Sequence, residues 1–125
     1  MAKNESAENY LETILVLSKK RPVVRSVDIA NELGYKKSSV SIAMKHLREN
    51  NHITVTEEGF IYLTDSGKRI AEMINERHEV ISSTLERLGV PKEIADEDAC
   101  KMEHAISDTS LEAIKRHIES TKNEP

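Results

Sequence analysis

Apolar residues recur every three or four positions along the first fifty residues, which predicts three amphipathic helices. The first ends near Lys20, the second begins after a Ser26 cap, and the third runs from about Ser38 to Asn50. Gly34 predicts the end of the second helix, because glycine readily adopts the left-handed conformation that follows helices. The positions predicted to face the core are Ala7, Leu11, Ile14, Leu15, Val27, Ile29, Ala30, Leu33, Val40, Ala43, Met44 and Leu47.

The pattern then changes to the alternation that is typical of strands. His52–Thr56 and Phe60–Leu63 predict a β-hairpin, because Glu57-Glu58-Gly59 between them supplies a turn. Helical spacing returns after Thr64, which we expect to cap a long helix that ends at Gly89.

Two further helices are predicted beyond Gly89. One runs from about Pro91 to Ser107, and Asp108 caps the last. The whole pattern predicts a mainly α protein in which a winged helix-turn-helix is followed by further helices.

Composition places the chain among globular proteins, with 38% hydrophobic and 32% charged residues. No run approaches the ~20 apolar residues of a membrane helix, and the amino terminus lacks an apolar signal core. The single cysteine excludes an internal disulfide and fits a reducing compartment. We therefore expect a cytoplasmic protein that does not act at a membrane.

The net charge is −4, yet the segment from Lys19 to Arg48 holds eight basic and two acidic residues. Such a segment predicts a phosphate-binding face, and in a helix-turn-helix the second helix enters the major groove of DNA. An outward Ile42 suits a thymine methyl group. An alternative is a solvated basic face with an incidentally exposed isoleucine. The residues expected to contact double-stranded DNA are Arg25, Lys36, Lys37, Ser38, Ser39, Ser41, Ile42 and Lys45.

Cys100, Glu103 and His104 are the main candidates for metal chemistry. Their spacing puts a thiolate, a carboxylate and an imidazole on one helical face, where they can bind one transition-metal ion. Asn9 and Glu12 form a second polar pair, so a metal bridging them to the trio would join the two halves of the chain. The predicted apolar stripe opposite the trio is Ile94, Ala95, Ala99, Met102, Ala105 and Ile106.

Other interpretations of these residues stay open. His78 is a weaker ligand candidate, with a partly exposed helix histidine as the alternative. Cys100 could instead sense an oxidant or an organic ligand, although the chain has no resolving cysteine. A metalloenzyme with Glu103 as base is disfavoured, because no catalytic triad, phosphate loop or HExxH motif accompanies it. We expect no enzymatic activity.

Several stretches resemble the diphtheria toxin repressor and manganese transport regulator family of metal-dependent repressors. They are Glu8–Ile14, Asp28–Ala30, Ser38–Ser41, Tyr62–Gly67, Arg77–Glu79 and Cys100–Asp108. The resemblance implies a homodimer in which residues 1–73 form the winged helix-turn-helix DNA-binding domain and residues 74–125 form the helical dimerisation and metal-binding domain. It also implies that the dimer binds palindromic operator DNA when metal is bound and so regulates metal homeostasis genes. The metal ligands that it implies are Asn9, Cys100, Glu103 and His104, with Glu12 and His78 in a further or adjoining site.

The departures from the family pattern bear on the choice of metal. Asn9 stands where iron-type members carry Met and manganese-type members carry Asp, and we expect a short form without the SH3-like domain. Cys100 stands where manganese regulators have a carboxylate. Its softer thiolate favours Fe2+, although Glu12 resembles the manganese type and keeps Mn2+ as the alternative. Co2+, Ni2+ and Zn2+ should bind in vitro, because they stand higher in the affinity series.

The expected mechanism follows from the predicted bridge between the two halves. A metal that ties the first helix to the Cys100 helix would select the orientation in which both recognition helices of a dimer reach successive major grooves, about 34–36 Å apart.

Overall fold

The computed structural model describes residues 5–122, and the order of its elements confirms a mainly α protein with an amino-terminal winged helix-turn-helix. Contacts divide the chain into two compact units between Met73 and Ile74. The ends of the predicted domains, residues 1–4 and 123–125, lie outside the described residues. The elements are α1 (Glu5–Lys20), α2 (Ser26–Leu33), α3 (Lys37–Glu49), β1 (Ile53–Val55), β2 (Ile61–Leu63), α4 (Asp65–Arg87), α5 (Lys92–Met102) and α6 (Asp108–Lys122).

The core of the first unit is built from the apolar faces that the helical spacing predicted. α1, α2, α3, the hairpin and the start of α4 all contribute to it. Val27 was predicted to face this core, but it is 37% exposed. In a helix as short as α2, Ile29 and Ala30 are enough to define the buried face. The largest fully buried side chains of the first unit are Leu11, Ile14, Val24, Ile29, Val40, Ile53 and Ile61.

The ends of α2 show how the helix-turn-helix is shaped. Gly34 has a φ of +70°, and its amide donates to the carbonyl of Ala30, as predicted for a left-handed cap. The helix starts one residue earlier than predicted. Arg25 is the cap instead of Ser26, and its backbone N–H donates to the Asp28 carboxylate at 2.9 Å.

The predicted hairpin is present with shorter strands. β1 and β2 pair antiparallel with Ile53 opposite Leu63, and Gly59 adopts a φ of +86° in the turn. The amide of Ile61 donates to the carbonyl of Val24 at 2.8 Å, which ties the segment before α2 to β2. The wing is thereby fixed to the body of the first unit.

The junction between the wing and α4 depends on close backbone packing. Thr64 caps α4 as predicted, since its hydroxyl accepts the amide of Gly67 at 3.2 Å. A Cβ placed on Gly67 would lie 2.0 Å from the carbonyl oxygen of His52. Only glycine allows the first turn of α4 to pack this closely against the residue before β1.

The second unit has a small core around Ile81, Ala99 and Leu111. α5 ends at Met102, so the prediction that it continues to Ser107 was wrong. α6 begins at Asp108, and the hydroxyl of Ser107 caps it by accepting the amide of Ser110 at 3.1 Å. Glu103 and His104 therefore lie in the turn that connects α5 to α6.

The predicted orientation of α5 also needs correction. Ile94 and Met102 were assigned to its apolar stripe, but both are exposed, whereas Ala95 and Ala99 are buried as expected. Glu103, the residue that follows α5, is also buried. No helix in the described part of the chain is long and apolar enough to cross a bilayer.

Candidate metal centre and nucleic-acid interface

Three of the predicted ligands converge in the second unit. His78 comes from the middle of α4, Cys100 from the last turn of α5, and Glu103 from the residue that follows α5. The Nδ1 atom of His78 lies 3.1 Å from Oε2 of Glu103 and 3.8 Å from Sγ of Cys100. One potential ligand atom from each of the three residues lies within 4.8 Å of the other two.

A fourth predicted ligand borders this group. Nε2 of His104 lies 3.3 Å from Oε1 of Glu103, so each carboxylate oxygen of Glu103 faces an imidazole. The Glu103 side chain is 0% exposed and that of His104 is 4% exposed. Burial of a carboxylate is costly without a positive partner, and a divalent cation held by these donors would provide one.

The spacing around His78 fits a metal ion. Ligand atoms at about 2.0–2.3 Å from one ion lie about 3–4 Å from each other, and the distances from Nδ1 of His78 to Glu103 and to Cys100 are in this range. His104 contacts the other oxygen of Glu103. Thiolate, imidazole and carboxylate are also donors that first-row divalent metals accept. We name these four residues the donor cluster.

Asp96 and Ser82, which the sequence pattern did not indicate, extend the donor cluster. The Ser82 hydroxyl donates to Oδ1 of Asp96 at 2.6 Å, and this hydrogen bond is the largest of the effects that lower the pKa of Asp96. The same oxygen lies 3.8 Å from Nε2 of His78. Ser82 follows His78 by one helical turn and Asp96 precedes Cys100 by one, so their spacing was the available signal.

Asn9 and Glu12 lie in the first unit, on α1. Both side chains are half-buried, and the carbonyl of Asn9 accepts a hydrogen bond from the Thr13 hydroxyl at 2.8 Å. Their assignment as ligands remains a prediction from the sequence.

The residues predicted to contact DNA lie at the start of α3 and on its outer face. Lys36 is the residue before the helix, and Lys37 is its first residue. Ile42 is 59% exposed, whereas Val40 and Met44 on the same helix are buried. The residues of the predicted set at the start of α3 and along it are all exposed, namely Lys36, Lys37, Ser38, Ser39, Ser41, Ile42 and Lys45.

Arg25, the remaining predicted DNA contact, lies against the wing. Its guanidinium is 4.8 Å from the centre of the Phe60 ring, an arrangement that leaves its hydrogen-bond donors accessible. At the tip of the wing, a backbone hydrogen bond lowers the pKa of the exposed Glu58, with further contributions from Thr56 and Arg25. A positive charge, that of Arg25, therefore lies beside the wing, while the tip of the wing carries the negative charge of Glu58.

A winged helix-turn-helix in one unit and a cluster of potential metal donors in the other are the features of metal-responsive transcriptional regulators. Two family models match the chain. Residues 4–59 match the iron-dependent repressor N-terminal DNA-binding domain, and residues 64–125 match the iron-dependent repressor metal-binding and dimerisation domain. The chain belongs to the diphtheria toxin repressor and manganese transport regulator family of metal-dependent transcriptional repressors. Members of this family are transcriptional regulators, not enzymes, as the sequence predicted.

Individual relatives agree with this assignment. An HTH-type transcriptional regulator of Methanocaldococcus jannaschii is 35% identical over 123 residues, which cover 96% of this chain and 98% of the relative. The transcriptional regulator MntR of Escherichia coli O6:H1 is 33% identical over 113 residues, covering 90% of this chain and 73% of that protein.

Solved structures extend the comparison to the fold. A manganese-dependent transcriptional repressor in complex with manganese is 27% identical and superposes with a TM-score of 0.84. The match covers 90% of this chain and 52% of that one. The chain thus spans about half the length of the solved structure.

Proposed function

We propose that the protein represses transcription by binding palindromic operator DNA as a homodimer when a divalent metal is bound, and that it regulates metal homeostasis genes. Residues 1–73 act as the DNA-binding domain, and residues 74–125 act as the dimerisation and metal-binding domain. The extents of the two family models, residues 4–59 and 64–125, support this division.

The observation that carries the proposal is the burial of Glu103 among nitrogen and sulfur donors. The Glu103 carboxylate has no exposed surface, and an imidazole lies opposite each of its oxygens. A cation bound by the carboxylate and these imidazoles would offset the free-energy cost of burying the negative charge. When bound, the metal supplies that positive charge. His78, Cys100, Glu103 and His104 are the proposed ligands in the second unit, and Asn9 and Glu12 are further ligands proposed from the sequence alone.

We propose Fe2+ as the physiological metal, with Mn2+ as the alternative. The Cys100 thiolate is the reason, because a soft sulfur donor favours Fe2+ over Mn2+. A Cys100→Asp variant, which replaces sulfur by a hard carboxylate, should shift the preference toward Mn2+. Competition between the two metals under anaerobic conditions measures this shift.

Contact with DNA is proposed for the exposed face of α3 and for Arg25. The polar and basic residues bind phosphates and fix the register, while Ile42 contacts a base edge. The side chains proposed are Arg25, Lys36, Lys37, Ser38, Ser39, Ser41, Ile42 and Lys45.

The test is an anaerobic titration of operator DNA with the full chain, without metal and with Fe2+ or Mn2+. The salt concentration is held fixed, because phosphate contacts make affinity strongly salt-dependent. Metal should raise operator affinity in the wild type and leave it unchanged in Cys100→Ala. Since Cys100 is exposed, this variant should alter stability by no more than about 0.5 kcal/mol. Lys101→Ala, an exposed neighbour on α5, is the matched control and should respond to metal like the wild type.

Operator binding that a chelator does not weaken would contradict the proposal. It would favour the alternative in which the exposed Cys100 senses an oxidant or an organic ligand, a role that its accessibility allows. Metal stimulation that persists in Cys100→Ala would remove the thiolate from the proposed ligand set.

A further inference from the structure

Arg77 is a buried cation next to the donor cluster in the second unit. It immediately precedes His78 on α4, and only 7% of its surface is exposed. Its guanidinium donates a hydrogen bond to the backbone carbonyl of Glu103.

The turn after α5 provides the acceptors. Nη1 of Arg77 donates to the carbonyl of Glu103 at 3.1 Å and to the carbonyl of Ile106 at 2.6 Å. Carbonyls at the end of a helix lack partners within the helix and must be satisfied from elsewhere. Arg77 donates to a carbonyl at the beginning of the turn and to one near its end. It thereby fixes the distance between Glu103 and Ile106.

A second anchor lies at the beginning of the next helix. Nη2 of Arg77 forms an ion pair with the carboxylate of Asp108, the first residue of α6. The guanidinium therefore joins the end of α5, the turn and the start of α6 to a single point on α4. The Glu103–His104 backbone is held relative to the helix that carries His78.

We propose that Arg77 is a positioning residue for the donor cluster. By holding the 103–106 turn, it keeps the Glu103 side chain against His78 and the His104 side chain against Glu103. This inference rests on the proposed metal-dependent function. The planar fork of arginine can bind two carbonyls and a carboxylate together, whereas the point charge of lysine cannot reproduce that geometry.

The test compares Arg77→Lys with Arg87→Lys in the full chain. Arg87 is a matched control, because it lies on the same helix and also links α4 to α6, with Nη2 donating to the Thr121 hydroxyl at 3.0 Å. The readouts are affinity for Mn2+ and Co2+ by competition with a chelating dye, the visible absorption of bound Co2+, and amide hydrogen exchange of residues 103–107 without metal.

We expect Arg77→Lys to weaken metal binding about 10–100-fold, as loss of groups that orient ligands typically does. The Co2+ spectrum should change and the 103–107 amides should exchange faster, while Arg87→Lys leaves all three readouts as in the wild type. Asp108→Asn, which keeps the size of the side chain and removes its charge, should give a smaller change in the same direction.

Equal metal affinity and equal exchange in the two arginine variants would overturn the inference, even if Arg77→Lys lowered thermal stability. If the wild type bound no divalent metal, the proposed function would fail by itself. Exchange of the 103–107 amides would still decide whether Arg77 holds the turn, and unchanged exchange would overturn that role.

Discussion

Ile42 is 59% exposed on α3, although Val40 and Met44, two positions before and after it, are buried. A large apolar side chain in water gains nothing for folding, so Ile42→Ala should change stability by no more than about 0.5 kcal/mol. If Ile42 contacts a thymine methyl group, the same variant should lose about 1 kcal/mol of operator affinity at an A·T position. Chemical denaturation and operator titration measure the two effects. Loss of stability without loss of affinity would contradict the assignment of Ile42.

Gly67 offers a second prediction for a single residue. An added methyl group would meet the carbonyl oxygen of His52, a backbone atom that cannot rotate away. We expect Gly67→Ala to destabilise the protein by about 1–3 kcal/mol or more, although alanine is the better helix former. Ser83→Ala, at an exposed position of the same helix, is the control and should be neutral or slightly stabilising. Equal thermal stability of the two variants would show that the junction can relax.

At this scale the sequence indicated which donor side chains lie together, but not the residue that supports them. The spacing of Cys100, Glu103 and His104 pointed to one site, and the structure brings His78 to Cys100 and Glu103. The pattern did not single out Arg77, because an arginine on a helix resembles any solvated charge. Its role depends on carbonyls 26 and 29 positions away, and no local pattern reports those contacts.

Among the elements, α3 carries the prediction that is most directly measurable. Lys37 and Lys45 are exposed on it, and each phosphate contact contributes about 0.9 to the slope of the logarithm of affinity against the logarithm of salt concentration. Lys37→Ala and Lys45→Ala should each reduce that slope by about 1 without changing the preferred sequence. Arg116→Ala, an exposed cation on α6, should leave the slope unchanged. A similar loss in all three variants would indicate a general effect of charge.

The helices and strands could be predicted from the periodicity of apolar residues. Their ends could be predicted only where a glycine or a capping side chain marks them, as Gly34 does at the end of α2 and Thr64 at the start of α4. The end of α5 was predicted too late, because the amide of Glu103 still donates to Ala99 in the helical manner and no glycine or proline follows. The chain leaves the helix at that point because distant Arg77 and buried Glu103 stabilise the turn, and a sequence window does not contain that information.

For the molecule as a whole, the two halves differ in charge. Residues 1–73 carry a formal charge of +1, and residues 74–125 carry −5. Polyanionic DNA attracts the first and repels the second, which restricts the ways in which the protein can approach an operator. Added salt should weaken both effects, so measurements at one salt concentration do not separate them.

Metal binding should stabilise some parts of the molecule more than others. At a free metal concentration of 100 times Kd, stability should rise by about 2.7 kcal/mol. We expect hydrogen exchange to slow at residues 76–80 and 99–107, with little change in the wing. If Asn9 and Glu12 are ligands, the amides of α1 should slow as well. Unchanged exchange in α1 would contradict their assignment.

Cys100 is the only thiol in the chain, and it is exposed at the border of the donor cluster. A maleimide dye should consequently modify the protein at a single atom, without any engineered cysteine. A coordinated sulfur is a poor nucleophile toward such a dye, so the labelling rate becomes a reporter of site occupancy. The labelling rate of Cys100 can therefore be used to follow the binding and release of metal over time, with or without DNA.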